Sequence, residues 1–411
     1  MRKVVITGLG VVSPVGNNLS DFWNSLAAGT CGIGFITRFD TADYKVKIAA
    51  EVKDFDPSGV MDKADIRRSD LFTRYAMVAA DEAMRDSGLD IMDKDRLGVY
   101  IGSGIGGIGT MVQESKKLDT EGPRRVSPFL VPMMIANMAA GQVAMRYGAR
   151  GPCLPVVTAC ATSSHAIGEA FRAIAHGYAD VILTGGAEAP LIPLAIAGFT
   201  SSMALSLRND PLDSSIPFDN RRDGFVMGEG AGVLVLEEYE HALARKAHIY
   251  AEICGYGNTC DAYHITSPLP DASSAANAVR GAMQEAGIQG VEGLYINAHG
   301  TSTPLNDKTE TLAIKKALGE EAARHAIISS TKSMTGHMLG AAGAAEAIAC
   351  VMALKDGIAP PTIGYREFDP ECDLDYTPNH ARKANLTAAL SISLGFGGHN
   401  ACLAFRKTDP A

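Results

Sequence analysis

"VVTACATSSHAIG", residues 156–168, decides how this chain is read. Val156 and Val157 predict the end of a short buried strand, and the small and polar residues beyond Cys160 predict the first turn of a helix. Ile167, Phe171 and Ile174 follow at helical spacing, Gly177 closes the segment, and residues 180–184 read as the next strand. Cys160 therefore falls on a strand-to-helix elbow. A thiol there feels the positive end of the helix dipole, worth only about 0.3–1 kcal/mol. One pKa unit needs about 1.4 kcal/mol, so the dipole alone leaves the thiol mostly protonated. The elbow also supplies backbone N–H groups for an oxyanion formed when the sulfur attacks a carbonyl. Most buried cysteines are inert small hydrophobes, so the partners of Cys160 decide its role.

Working outward, short apolar runs alternate with helical segments rich in small residues: "KVVITG", "LGVYIGS", "DVILTGG", "GVLVLEEY", "GLYINAHG" and "AIISSTK". That alternation predicts an α/β fold. The C-terminal half repeats the scheme of the elbow, with strand "AIISST", polar loop "KSMTGH" and helix "LGAAGAAEAIACVMALKDG". Two related halves are expected, 1–250 and 251–411, joined near Tyr250. "LTAALSISLGFGGHNACLAFR" reads as two strands linked by a glycine-rich turn.

The bulk composition narrows the function classes. The 411 residues carry a formal net charge of -9, and no Lys/Arg run is long enough for a basic tail, which argues against nucleic acid as a partner. Eight cysteines without paired spacing, and an N-terminus too short in its apolar run for a secretory signal, predict reduced thiols in a cytoplasmic protein. Segments 127–145 and 189–207 lack charge over a length near the roughly 20 residues that cross a bilayer. Their prolines and polar groups argue for buried segments lining a hydrophobic cavity instead, and no membrane insertion is expected.

Partners for Cys160 come from the second half. "INAHGTSTPLND" places His299 directly after a strand, and "SSTKSMTGHMLG" does the same with Lys332 and His337. One nucleophile and two imidazoles form a set suited to acyl chemistry, while no HExxH or CxxC pattern predicts a metal site. Between Lys332 and Lys355 the single charged residue is Glu346. An isolated buried carboxylate costs several kcal/mol, so Glu346 is expected to meet a cation, either Lys332 or a protonated His337. "LGVYIGSGIGGIG" holds Gly102, Gly104 and Gly107 in a formal GxGxxG. The segment that follows, "TMVQESKKLD", shows no clear second strand ending in the acidic residue that a dinucleotide site places about 20 positions on.

"TACAT", "NAHGTSTPLND", "STKSMTGHMLGAAGAAE" and "GFGGHN", in that order, give the chain its resemblance to the β-ketoacyl-acyl carrier protein synthases, most closely the synthase II type of dissociated fatty-acid synthesis. The likeness spans nearly the whole chain. It implies a thiolase-like fold of two related halves layered α/β/α/β/α, a homodimer, and condensation of an acyl carrier with a malonyl carrier, without an organic cofactor. By resemblance Cys160 accepts the acyl group, and the N–H groups of Cys160 and Phe396 form the oxyanion hole. His299 and His337 bind the malonyl thioester, and Lys332 and Glu346 hold the histidines. Thr301 and Thr303 meet the pantetheine arm, Phe396 gates the acyl tunnel, Ile105 lies along its wall, and Phe199 joins the substrate-binding set. The acidic acyl carrier protein would dock on Lys63, Arg67, Arg68, Arg124, Arg125 and Arg208. Met203 stands where relatives commonly carry an arginine, Leu394 where they carry an aromatic, and "TACATSS" lacks a common glycine. A polyketide-type synthase with a specialised carrier, and a non-catalytic chain-length subunit, are the alternatives. The intact Cys160/His299/His337 set argues against the second.

Overall fold

The expected alternation folds into one nine-stranded sheet, seen in a computed structural model that describes residues 1–90 and 93–408. Its strands are β1 (Val4–Val12), β2 (Leu97–Gly102), β3 (Val181–Glu188), β4 (Gly230–Glu238), β5 (Ala251–Cys260), β6 (Leu294–Asn297), β7 (Ile327–Ser329), β8 (Ala388–Gly395) and β9 (His399–Arg406). Six helices matter here: α1 (Leu71–Ser87), α2 (Thr162–Ala175), α3 (Pro193–Ser201), α4 (Ser273–Ala286), α5 (Pro304–Leu318) and α6 (Ala342–Asp356).

The strand order β2-β3-β4-β1-β5-β9-β8-β6-β7 reads the same way outward from its middle. From β1 the pairings run antiparallel to β4, antiparallel to β3, then parallel to β2. From β5 they run antiparallel to β9, antiparallel to β8, then parallel to β6 and β7. The two sets meet only where Val4 and Ile6 of β1 pair with Ile253 and Ala251 of β5. Folding of the sheet at this short junction leaves α2 and α6 in contact with strands of both sets, while α1 and α4 each pack on one set from outside. The layers are thus α/β/α/β/α, as the resemblance implies.

The central position explains the composition of α2 and α6. A helix covered on every side must be apolar or small all round, and α6 is buried from Ala342 through Leu354. The two helices touch at their N-terminal ends, where Ser163 Oγ accepts a hydrogen bond from the Ala344 N–H at 2.9 Å. Full burial of Ile167 and Ile174 contributes about 1.5–3 kcal/mol each.

Two expectations need correcting. Residues 154–158 are extended but form no strand of the sheet, and they are half-buried to exposed. They leave a free edge beside β2, touching it at one bridge between Cys153 and Val99, and then lift away toward the elbow. Segment 127–145 is mostly half-exposed and lines no part of the main cavity, whereas 189–207 does supply part of its wall. No helix among the described residues is long and apolar enough to cross a membrane.

Candidate active site

Each half delivers an elbow of the same shape. A single 3-10 turn, Ala159–Ala161, precedes α2, and another, Leu339–Ala341, precedes α6. Both begin on a left-handed residue, Ala159 with φ of 50° and Leu339 with φ of 47°. Such a backbone is uncommon outside glycine and marks a constrained turn. Cys160 occupies the middle of the first turn. β8 passes directly against it, and only a residue without Cβ fits at Gly395, because a Cβ there would lie 2.8 Å from the Thr158 carbonyl oxygen.

A cavity of about 280 Å³ opens over the elbow. Cys160, Phe199, His299, Thr301, Thr303, His337 and Phe396, all expected from the sequence, line it together, with Phe225 and Leu394 completing much of the apolar wall. The backbone N–H groups of Phe396 and of Cys160 itself face the Cys160 sulfur. Burial pushes the thiol up to about 12, against the pull of the Lys332 charge and these two donors. At neutral pH the resting nucleophile is therefore a thiol.

His299 follows β6, and its N–H together with that of Gly300 donates to Glu310 of α5, at 2.6 and 2.7 Å. His337 is pinned between its N–H to the Val226 carbonyl at 2.7 Å and its carbonyl to the Gly228 N–H at 2.9 Å. The two imidazoles meet edge to face with centroids 5.2 Å apart, and Phe225 packs edgewise on His337. Burial, the Lys332 ammonium and, for His299, the neighbouring ring hold both histidines well below their usual pKa. Both are neutral at pH 7, each with one N–H and one lone pair. Lys332 and Glu346 pair directly beneath them, both buried. Lys332, rather than a protonated His337, is thus the cation that meets Glu346.

The hydroxyls of Thr301 and Thr303, both lining the cavity, lie 2.9 Å apart. Their loop is fixed by buried Asp307, which accepts from the Ser302 and Phe218 N–H groups at 3.2 and 2.8 Å. The Phe396 turn is braced from outside by Asp261, which takes a hydrogen bond from Asn400 at 2.7 Å, and by the Gly397 N–H donating to the Ile265 carbonyl.

Ile105 does not reach the cavity. It is absent from the cavity lining and 37% exposed, and its N–H donates to the buried Glu188 carboxylate at 3.1 Å. The surface cations divide likewise. Lys63, Arg67 and Arg68 are exposed on and just after one helical turn, Arg124 and Arg125 on another, and Arg68 joins the two by stacking over Phe129. Arg208 pairs with two carboxylates, 3.2 Å from Asp213 and 3.7 Å from Asp223, and Arg125 pairs with one, 3.1 Å from Glu121.

Glu188, Glu310 and Asp307 escape sequence reasoning. Glu310 and Asp307 read as ordinary polar residues at the start of a helix. Glu188 carries a faint signal, being the charge that ends the apolar run "VILTGGAE".

Residues 1–242 match the family model described as Beta-ketoacyl synthase, N-terminal domain, and residues 250–366 match Beta-ketoacyl synthase, C-terminal domain. The chain is 53% identical to 3-oxoacyl-[acyl-carrier-protein] synthase 2 of Synechocystis, over 99% of this chain and 98% of that one. The enzyme of the same description from Staphylococcus aureus strain N315 is also 53% identical, covering 99% of each chain. A solved ketosynthase bound to a hexaketide, in complex with its type II polyketide acyl-carrier protein, superposes with a TM-score of 0.91 at 36% identity, over 99% of this chain and 100% of that one. Two family models laid end to end, together with the doubled sheet and elbow, place this chain in the β-ketoacyl synthase family.

Proposed function

We propose that this protein condenses acyl-acyl carrier protein with malonyl-acyl carrier protein, giving 3-oxoacyl carrier longer by two carbons, carbon dioxide and free carrier, as a β-ketoacyl-ACP synthase II of type II fatty-acid synthesis. The observation that carries this reading is the convergence of the Cys160 elbow, two backbone donors and two neutral histidines on one cavity.

In the first half-reaction Cys160 Sγ attacks the acyl thioester carbonyl. A neutral imidazole takes the thiol proton, the N–H groups of Cys160 and Phe396 hold the oxyanion, and the carrier sulfur leaves with that proton. In the second, His299 and His337 donate to the malonyl thioester oxygen while the carboxylate departs as carbon dioxide. The carbanion then attacks the acyl group, and the Cys160 sulfur is expelled as a thiolate that takes one proton from solvent, the proton consumed in the overall reaction. Lys332 keeps both histidines unprotonated, and Glu346 balances its charge. Thr301 and Thr303 bind the pantetheine arm, Phe199 and Phe396 contact the acyl chain, and the steps require no organic cofactor.

The product assay tests the reading. Saturated acyl carriers plus malonyl carrier should yield the extended 3-oxoacyl carrier. Refusal of these with acceptance of a polyketide-type carrier would move the protein to that pathway.

The acyl carrier is the partner. Lys63, Arg67, Arg68, Arg124 and Arg125 form its landing area, Arg208 contributes little, and Met203, 88% exposed at the cavity rim, adds no charge. Reversing the charge at Arg67 or Arg124 should raise KM for carrier-linked substrates about tenfold while sparing short pantetheine thioesters, and the effect should shrink in high salt. Equal losses with both substrates would remove these residues from docking.

The enzyme works as a homodimer in the cytoplasm. Leu154 and Val157, both exposed, stand on the free edge beside β2, and such an edge invites pairing with a second copy. Exposed Val131 and Met145 extend the apolar surface. All eight cysteines are free, in keeping with a reducing compartment. Sedimentation should give a dimer that Leu154→Lys weakens; an unchanged dimer in that variant would place the contact elsewhere.

A further inference from the structure

The doubled elbow leaves one structural question. Cys160 and Gly340 hold equivalent places in their turns, so each half has an N–H aimed like an oxyanion donor. The Cys160 N–H faces the reacting sulfur. The Gly340 N–H is already taken, donating to Glu188 Oε2 at 3.0 Å.

Glu188 ends β3 and is 0% exposed. Its Oε2 also accepts from the Gly104 N–H at 2.8 Å, and Oε1 accepts from the Ser103 hydroxyl at 2.8 Å and the Ile105 N–H at 3.1 Å. Ser103 Oγ in turn accepts from the Gly106 N–H at 2.9 Å, so its own proton points to Glu188. A backbone N–H can only donate, so the three N–H groups and the Ser103 hydroxyl converging on one carboxyl favour its ionised form. Burial raises the Glu188 carboxyl, these hydrogen bonds pull it back toward the ionised form, and none of its strongest partners is a cationic side chain. The glycine-rich loop that formally matched a phosphate-binding pattern thus wraps an anion supplied by the chain itself. Fit is close on both sides: a Cβ on Gly104 would stand 2.8 Å from Oε2, and one on Gly340 2.5 Å.

We infer that Glu188 is a positioning residue for acylation of Cys160, filling the unused oxyanion site of the second elbow, locking both elbows and the 103–106 loop together, and setting the negative field at the thiol. The inference rests on Cys160 being the acyl acceptor. The mechanical part follows from the geometry, since the carboxylate ties Gly340 at the head of α6 to the loop that packs on Ala159. The electrostatic part follows from a buried carboxylate held by N–H and hydroxyl donors, whose charge opposes thiolate formation at Cys160, where Lys332 and the two backbone donors favour it. A glutamine would keep the shape but turn an amide NH2 against N–H donors and remove the charge.

The test compares Glu188→Gln, Glu188→Asp and Gly104→Ala with the wild-type enzyme, by alkylation of Cys160 with iodoacetamide across pH and by acylation from a short pantetheine thioester. Glu188→Gln should move the alkylation midpoint down by about one pH unit and slow acylation about tenfold. Glu188→Asp keeps the charge but shortens the reach, and Gly104→Ala pushes on the carboxylate without removing it. Both should slow acylation about tenfold with the midpoint unmoved. A merely structural role would slow acylation in every variant without moving the Glu188→Gln midpoint, and that result overturns the inference. So does acylation within about twofold of wild type in Gly104→Ala, which decides the matter if Glu188→Gln does not fold. Failure of the wild-type enzyme to acylate would instead strike the proposed function, and the alkylation profile does not depend on it.

Discussion

Replacing Cys160 by glutamine abolishes condensation, by about 10⁴-fold or more, while release of carbon dioxide from malonyl carrier continues. The two half-reactions use different groups in one cavity. Acyl transfer needs the sulfur at the elbow. Decarboxylation needs donors for the developing enolate, and the proposed mechanism assigns these to the neutral imidazoles of His299 and His337, which line the cavity. A glutamine at 160 places a carboxamide near the N–H groups of residues 160 and 396, in the position of the acylated enzyme, so the decarboxylation rate holds or rises. Adding His299→Ala removes one enolate donor and should lower carbon dioxide release about 10²–10³-fold. Carbon dioxide and 3-oxoacyl product are measured side by side. A folded Cys160→Gln protein that binds malonyl carrier yet releases no carbon dioxide would break this division of labour.

Lys332→Met should destabilise the fold by about 3–5 kcal/mol, because it strands Glu346 in the interior without its cation. The loss should depend on pH with a definite sign. Burial already raises the Glu346 carboxyl to about 7, with Lys332 pulling it down; removing Lys332 raises it further. A carboxyl whose folded pKa lies above its unfolded value favours the fold fully below the unfolded pKa, and that advantage is lost as pH rises through the folded one. The deficit of Lys332→Met should therefore be smaller at pH 5.5 than at pH 8. Glu346→Gln in the same protein should recover much of the loss, so the pair is strongly non-additive. Urea unfolding of the two single variants and the double variant at both pH values measures this. Additive losses, or a deficit that grows toward low pH, would show that the two groups act separately.

What could be read in the sequence follows from the range of the interactions involved. The helix after Cys160 and the Ala-rich helix after His337 carry their own periodicity and closing glycines, so local patterning was enough. His299 stood out because it follows β6 almost directly, whereas His337, read the same way, is separated from β7 by the short helix Lys332–Thr335. The extended run before Cys160 looked like a buried strand because its valines are apolar. In the fold it lies half-buried to exposed beside the edge strand β2, and patterning cannot distinguish a core strand from an apolar segment at the surface. Segment 127–145 misleads for the same reason. Ile105 was placed by resemblance on the tunnel wall, but it does not line the cavity, and its backbone is held by Glu188, 83 residues further on. Glu310 and Glu188 are charged residues whose partners are backbone N–H groups brought in by tertiary folding. Composition and spacing hold no record of such partners.

The central claim is that Cys160 alone carries the acyl group between the two half-reactions. Peptide mapping by mass spectrometry after incubation with acyl carrier tests it most directly. The expected result is one acyl adduct, on the peptide containing Cys160, absent from Cys160→Ala and discharged as 3-oxoacyl product when malonyl carrier is added. An adduct that persists in Cys160→Ala, or one on Cys160 that malonyl carrier cannot discharge, would contradict it.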